Sequence, residues 1–305
     1  MTGARPFLKW AGGKRQLLPQ LRRFYPREFG RYYEPFAGSA AVFLDLASAG
    51  ALAGRAVSLT DRNADIIGCY LAVRDDVEGV IACLEELAER HARDPEGCYY
   101  DVRDAGFNRE RGAMPAGAAR AAAYTPSLAA MLIYLNRTGF NGLFRLNSGG
   151  GFNVPLGRYA KPRIVDADNL RRISRLLASP GTRVAALPFS RALGAAREGD
   201  FVYLDPPYAP TSGTASFTSY TAAGFTQADQ ARLRDVVVGL AERGCRIVLS
   251  NSDTEAVREL YTSAQARAAR LTLHEVPARR SINSRADRRG PVTELVIANA
   301  LPRPA

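Results

Sequence analysis

Asp205-Pro206-Pro207-Tyr208 is a tetrapeptide whose residue types can act together on a bound ligand. It closes the apolar run Asp200-Phe201-Val202-Tyr203-Leu204, which is long enough for a buried strand. Proline has no N–H and a fixed φ, so Pro206-Pro207 stops that strand and holds the next segment extended. The carbonyls of Leu204 to Pro207 are then expected to face a ligand, beside the Asp205 carboxylate. Open α/β sheets bind ligands at the carboxyl ends of their strands, which is where Asp205 falls. A strand-end acid before a plain Pro-Pro turn is the competing reading.

A second group of residues joins it. Tyr32-Tyr33-Glu34-Pro35-Phe36-Ala37-Gly38-Ser39-Ala40 reads as strand and tight turn before a helix from Ala41 to Ala49. Val57-Ser58-Leu59-Thr60-Asp61 then ends in an acid 23 residues after Gly38 (61 − 38). In nucleotide-binding α/β folds an acid at about that spacing accepts the ribose hydroxyls, so Gly38 and Asp61 could hold an adenosine-containing ligand. Asp61 could instead cap the helix that follows. The opening Phe7-Leu8-Lys9-Trp10-Ala11-Gly12-Gly13-Lys14 lets backbone approach a ligand at its glycines and aims Lys14 at a carboxylate or phosphate. It lacks the spacing of a P-loop.

The third group is cationic. Between Arg111 and Val165 no acidic residue occurs, while Arg111, Arg120, Arg137, Arg145, Arg158, Lys161 and Arg163 fall there. Within it, Asn136 to Tyr159 alternates aromatic, polar and basic residues around Ser148-Gly149-Gly150-Gly151 and reads as an exposed two-stranded ribbon. Such a ribbon can enter a major groove, where arginine reads guanine and asparagine reads adenine. A second cluster, Arg279, Arg280, Arg285, Arg288 and Arg289, is interrupted only by Asp287. With a formal net charge of +11 over 305 residues, the partner implied is a polyanion.

The elements that must position these groups alternate strand and helix. Strands are predicted at Val184 to Leu187, Asp200 to Leu204 and Arg246 to Ser250, and Leu271 to Val276 with Glu294 to Ala298 as a terminal hairpin. Helices are predicted from Gln16 to Tyr25, over much of Asp76 to Asn108, from Thr125-Pro126, from Thr226 to Arg243 and from Thr254 to Tyr261. This makes an α/β protein with a doubly wound, mostly parallel sheet, split into residues 1–72 and 166–305 by a helical insert over 73–165. Ala113 to Ala123 reads as a loose loop or helix start. Cys69, Cys83, Cys98 and Cys245 are expected as buried free thiols. His91 and His274 stand alone, and no Gly-x-Ser-x-Gly occurs, which argues against a Ser-His-Asp hydrolase. No apolar run approaches membrane-span length and no signal-peptide core opens the chain, so a cytosolic protein is expected.

Carrying these motifs in this order, the chain resembles the DNA adenine methylase family of amino-methyltransferases over nearly its whole length. Phe7 to Lys14, Glu34-Pro35-Phe36-Ala37-Gly38, the Asn136 to Tyr159 ribbon, Asp205 to Tyr208 and Ser250-Asn251-Ser252-Asp253-Thr254 carry the likeness. Asp-Pro-Pro-Tyr is shared with other adenine and N4-cytosine methylases. Tyr134-Leu135-Asn136-Arg137 through Phe152-Asn153-Val154-Pro155 is similar to the GATC-reading branch. The resemblance implies a Rossmann-like catalytic domain that binds S-adenosylmethionine through Trp10, Lys14, Phe36, Gly38, Asp61 and Asp205. It implies catalysis at Asp205, Pro206, Pro207 and Tyr208. It implies a target-recognition domain over 73–165 that meets double-stranded DNA through Lys9, Arg137, Phe140, Asn141, Leu143, Arg145, Asn153, Pro155, Arg158 and Tyr159. Arg145 matches a guanine reader, and Phe140 and Asn141 match residues around a displaced base. Phe140 stands where a tyrosine is common, and the Ser148 to Gly151 turn replaces a more charged one.

The expected reaction is methyl transfer to adenine N6 in GATC after base flipping, by a metal-independent monomer on the bacterial nucleoid. Roles in DNA replication, mismatch repair or restriction-modification would follow. N4-cytosine methylation is the nearest rival. A non-enzymatic DNA-binding protein explains the charge but not the conjunction of Trp10, Asp61 and Asp205, and a nicotinamide oxidoreductase leaves Asp205 to Tyr208 and the ribbon unexplained.

Overall fold

The computed structural model describes residues 3–10, 12–208, 225–279, 291–300 and 302–303. Among the described residues the strands are β1 (Tyr32–Glu34), β2 (Val57–Asp61), β3 (Thr182–Ala186), β4 (Phe201–Leu204), β5 (Arg246–Ser252), β6 (Thr272–Arg279) and β7 (Pro291–Ala298). They form one seven-stranded sheet in the order β3-β2-β1-β4-β5-β7-β6. The first five run parallel, and β7 lies antiparallel between β5 and β6. The doubly wound, mostly parallel sheet expected from the strand–helix alternation is present. Its order reverses between β1 and β4, where Tyr32 pairs with Phe201 and Tyr33 with Val202. A crevice therefore opens at the carboxyl ends of these two strands, as at other such switch points.

Side-chain alternation places helices on both faces. Along β4, Phe201 and Tyr203 pack into one buried cluster, while Val202 and Leu204 pack into the other. Along β5, Val248 joins the first cluster and Ile247 and Leu249 the second. This is the period of two that an extended chain imposes. The first face is covered by Phe43 and Leu44 of the Ala41–Ser48 helix and by Ile66, Ile67 and Tyr70 of the Ala64–Asp75 helix. The second is covered by Leu233, Val237 and Leu240 of the Gln227–Glu242 helix. Thr226 starts that helix with a capping box: its Oγ1 accepts from Asp229 N–H and the Asp229 carboxylate accepts from Thr226 N–H.

Residues 73–165 build helices at Val77–Arg93, Pro95–Asp101, Arg109–Ala113, Gly117–Ala122 and Pro126–Thr138, with a π-helical turn at Val102–Asn108. Their core is continuous with that of the sheet, running from Phe7 through Leu135 and Phe152 to Val296. The expected boundary at 72/73 falls inside the Ala64–Asp75 helix. A buried ion pair also crosses it: Arg111 Nε and Nη2 donate to the Asp65 carboxylate at 2.9 Å.

Three expectations are corrected. Gln16 to Tyr25 is not one helix but a 3-10 turn at Lys14–Gln16 and a single turn at Leu18–Leu21. Cys83 is only half-buried, whereas Cys69, Cys98 and Cys245 are buried; all four are free thiols. The Asn136 to Tyr159 segment folds back on itself as an irregular two-armed ribbon, with antiparallel bridges Gly139↔Leu156 and Leu146↔Phe152 and cross-arm bonds from Phe140 N–H to Pro155 O, Gly157 N–H to Thr138 O and Asn153 N–H to Arg145 O. It is not exposed throughout, because Phe144, Phe152 and Val154 are buried. Side chains from the neighbouring helices add to its short ladder. Asn108 accepts from Phe152 N–H and donates to Phe152 O, and Tyr99 donates to Val154 O at 2.9 Å. The second arginine cluster, Arg280, Arg285, Arg288 and Arg289 with the side chain of Arg279, lies outside the described residues.

Candidate active site

Asp205 and Tyr208 leave the carboxyl end of β4 at the crevice, where Pro206 and Pro207 end the strand. Lys14, from the opening motif, reaches across to them. Its ammonium lies 2.7 Å from the Asp205 carboxylate and 4.5 Å from the centre of the Tyr208 ring, and it also donates to Gly12 O. Lys14 is 4% exposed, so its charge is stabilised by these partners rather than by water. Burial pushes the Asp205 carboxyl up to about 6, against the pull of Lys14. One expectation fails here. Pro207 O does not face a ligand, because it accepts from the Gln230 side chain at 3.0 Å.

The turn after β1 is shaped by close approach. Gly38 has φ +46°, and a Cβ there would sit 2.9 Å from Trp10 Cδ1. Trp10 thus lies directly on Gly38, and its ring packs against Phe144 at 5.9 Å between ring centres. Ala40, a non-glycine at φ +52°, completes the turn, a strained geometry of the kind held in place at functional sites. Asp61 fixes the turn from β2, accepting from Gly38 N–H at 3.0 Å and from Asn63 N–H at 2.8 Å. Asn63, not Asp61, caps the Ala64–Asp75 helix. A carboxylate has about four acceptor lone pairs, so Asp61 keeps acceptor capacity for a ligand hydroxyl. Phe36 stacks on Phe189 at 5.4 Å and meets Phe225 edge-on at 5.9 Å, an apolar cluster suited to a flat heterocycle.

Sequence reasoning missed Glu34. This fully buried acid accepts from the Tyr32 hydroxyl at 2.7 Å and from Phe43 N–H at 2.9 Å. Burial pushes it up to about 8, with Asp205 and Asp61 adding to the rise. Asp61 itself is raised to about 6, chiefly by burial. Asp61 at the end of β2 and Asp205 just beyond β4 thus both carry raised carboxyls close enough to act on Glu34, and a cationic ligand beside them would relieve them. That donor set fits a sulfonium. Gln230 and Asn251, which hydrogen bond each other at 3.1 Å behind Pro207, were also missed, as was Glu294, which accepts from the Tyr208 hydroxyl. Glu34 and Asn251 lie in stretches that carry the resemblance but were given no role there, and the other signal was polar residues inside apolar elements.

Nine of the ten expected DNA-facing residues lie between Arg137 and Tyr159, and the tenth, Lys9, next to Trp10, packs against that segment. Lys9 N–H donates to the buried Asn136 side chain, which donates in turn to Lys9 O and Gly142 O at 2.8 Å. Lys9 Nζ lies 4.1 Å from the centre of the Tyr159 ring. Among the described residues Phe140 (46% exposed) and Tyr159 (38%) are the exposed large hydrophobic side chains, so both stacking candidates sit on this segment. Asn141 adopts φ +54° beside Phe140. Leu143 and Asn153 are half-buried, and Pro155 and Arg158 are exposed. Arg145 is exposed but folds back, its Nε donating to Asn153 Oδ1 at 2.8 Å and its Nη2 to Asn153 O at 3.1 Å. Arg137 is half-buried, and burial lowers its pKa.

Residues 10–282 match the family described as D12 class N6 adenine-specific DNA methyltransferase. The chain is 37% identical over 296 residues to the Type II methyltransferase M1.LlaDCHI of Lactococcus lactis subsp. cremoris, covering 97% of this chain and 95% of that protein. It is 35% identical over 297 residues to the DNA adenine methylase of Escherichia coli, with the same coverage. It is 37% identical over 305 residues to the DNA adenine methylase of Vibrio cholerae, covering 97% and 96%.

Proposed function

The chain belongs to the D12 class of N6 adenine-specific DNA methyltransferases, which use S-adenosylmethionine, and from that premise we propose that it methylates the adenine of GATC in double-stranded DNA after flipping that base out of the helix. N4-cytosine methylation, non-enzymatic DNA binding and nicotinamide chemistry are set aside by the family. The observation that carries the site assignment is the Asp205 carboxylate, one-fifth exposed at the switch-point crevice and held at 2.7 Å by the buried Lys14.

Adenine N6 is a poor nucleophile because its lone pair is delocalised into the ring. The Asp205 carboxylate and the Pro206 carbonyl accept its two N–H bonds and localise that lone pair, and Tyr208 stacks on the base. S-adenosylmethionine, when bound, supplies a methyl group already activated on a sulfonium. The chain's own contribution is therefore positioning and electrostatics. Lys14 holds Asp205 in place and favours its ionised, acceptor-only form. Trp10, Gly38, Phe36 and Asp61 hold the cofactor, with Asp61 accepting from the ribose while it braces the Gly38 turn.

N6 is unreachable inside a duplex, and extruding the base costs a few kcal/mol, least at weakened pairs. Residues 73–165 serve as the recognition region that offsets that cost, with Lys9, Arg137, Arg158 and Tyr159 on the backbone and Phe140, Asn141, Leu143, Asn153 and Pro155 around the bases. Arg145 reads the outer guanine. The relatives named DNA adenine methylase and the likeness of Tyr134 to Pro155 to the GATC-reading branch support this target. The test digests modified DNA with nucleases that distinguish methylated from unmethylated GATC. Protection from the methylation-blocked nuclease is expected; full cleavage after reaction would overturn the GATC assignment.

A further inference from the structure

Tyr208 is held at both ends of its side chain. The Lys14 ammonium lies against its ring, and its hydroxyl donates to Glu294 Oε2 at 2.7 Å. The two prolines before it fix the backbone but leave its own side-chain torsions unset. Glu294 comes from a rigid support: it sits in β7 opposite Ser252 of β5 on one side and Val276 of β6 on the other. Its charge also has a local cost, because it works against ionisation of Asp205. An apolar residue would serve the sheet as well without that cost, so packing alone does not account for a carboxylate here. A hydrogen bond from a hydroxyl to a charged acceptor is short, strong and directional.

We propose that Glu294 is a positioning residue for methyl transfer, clamping the Tyr208 hydroxyl so that the ring stands ready to stack on the extrahelical adenine. The assignment rests on the base-flipping reading above. Glu294 touches neither base nor cofactor in this role; it acts through Tyr208. With the clamp released, the ring is free to rotate about its side-chain torsions, and captured base is lost more often than it is methylated.

The test compares Glu294→Ala, Glu294→Gln, Tyr208→Phe and the double variant Glu294→Ala/Tyr208→Phe. Single-turnover methylation is measured on a GATC duplex, and fluorescence on a duplex carrying 2-aminopurine in place of the target adenine. Glu294→Ala and Tyr208→Phe should each slow transfer by roughly ten- to a hundred-fold, the range for a hydrogen bond to a charged group. Both should lower the fluorescence change on binding. The double variant should be no slower than either single one, since all three lack the same bond. Glu294→Gln keeps an acceptor and should recover most of the rate, with KM for S-adenosylmethionine unchanged throughout. Losses that multiply in the double variant overturn the proposal, as does a Glu294→Ala variant with normal rate and fluorescence. A purely structural Glu294 would lower the thermal midpoint and leave the Tyr208→Phe loss additive. If the wild type methylates the duplex but shows no fluorescence change, the base-flipping reading itself falls and takes the clamp with it.

Discussion

Lys14–Asp205 and Arg145–Asn153 each set a cation against an oxygen acceptor at under 3 Å, in opposite surroundings. Lys14 is 4% exposed and is held by a carboxylate, a carbonyl and an aromatic face at once. Arg145 stands in solvent, and its partner is a neutral amide eight residues along its own segment. Breaking the first pair strands a buried charge; breaking the second exchanges one set of polar partners for another. The proposed catalytic centre is therefore preformed, whereas the side chains proposed to read DNA rest on each other and would have to exchange those partners for bases. This difference follows from burial, because an uncompensated buried charge costs several kcal/mol and an exposed pair little.

The largest expected effect attacks the preformed side. Asp205→Ala removes the proposed acceptor for N6 and should cut turnover by roughly a hundred- to a thousand-fold, the scale for losing one preorganised polar group. DNA affinity should stay nearly intact, since Asp205 contacts no phosphate in the proposed mechanism. Near-normal single-turnover rates in this variant would show that the active site is elsewhere.

A third pair joins the two regions. Arg111 is bound to Asp65, near the start of the helix that follows β2, and donates to Gly150 O in the recognition turn. Arg111→Met leaves Asp65 buried without its partner and should cost about 3–5 kcal/mol in urea unfolding. Arg111→Met/Asp65→Asn should recover part of that loss. If the single variant unfolds like the wild type, the two regions are not tied through this pair.

Such links explain what the sequence could and could not reveal. Asp205 to Tyr208 and the Gly38–Asp61 spacing were legible because strand, turn and acid are adjacent in the chain, and backbone rules govern them. The Lys14–Asp205 pair was not, since nothing local sets which carboxylate a lysine reaches. The exposure of the Asn136 to Tyr159 ribbon was misread for a related reason. Its two arms bond each other as read, but the side chains that cover its inner backbone, Asn108, Tyr99 and Arg111, lie far away in sequence. Glu294 looked like the first residue of a strand, whereas β7 begins at Pro291 and holds Glu294 between β5 and β6.

On the recognition side, Arg145→Ala should lower kcat/KM on GATC by roughly ten- to a hundred-fold, because a bidentate arginine–guanine pair is worth about 1–3 kcal/mol. Duplexes with the outer guanine replaced should suffer much less. Arg145→Lys keeps the charge without the fork and should not restore selectivity. Equal losses on both duplexes would make Arg145 a phosphate contact.

The preformed side should show itself in pH dependence. Burial raises both Asp61 and Asp205 to about 6, so each carboxylate is lost as pH falls through that value. A profile of kcat/KM for S-adenosylmethionine, which reports ionisations of the free enzyme, should fall by up to about tenfold per pH unit for each group below pH ~6. A profile flat down to the ordinary aspartate range near pH ~4 would contradict the burial argument.

The smallest effect is the sharpest check on the comparison, because it uses one residue type in two settings. Asn136 is 2% exposed and holds Lys9 N–H, Lys9 O and Gly142 O together. Asn136→Ala leaves buried polar groups unpaired and should cost about 1–3 kcal/mol for each group left unsatisfied. Asn153 makes its side-chain bond to the exposed Arg145, and water can replace either partner. Asn153→Ala should therefore shift stability by no more than about 0.5 kcal/mol, as surface changes usually do. Urea unfolding of both variants in the absence of DNA measures the contrast directly. A large loss for Asn153→Ala would mean that the Arg145 pair supports the recognition segment structurally, and Arg145 could not then turn to a base without unsettling the loop that carries it.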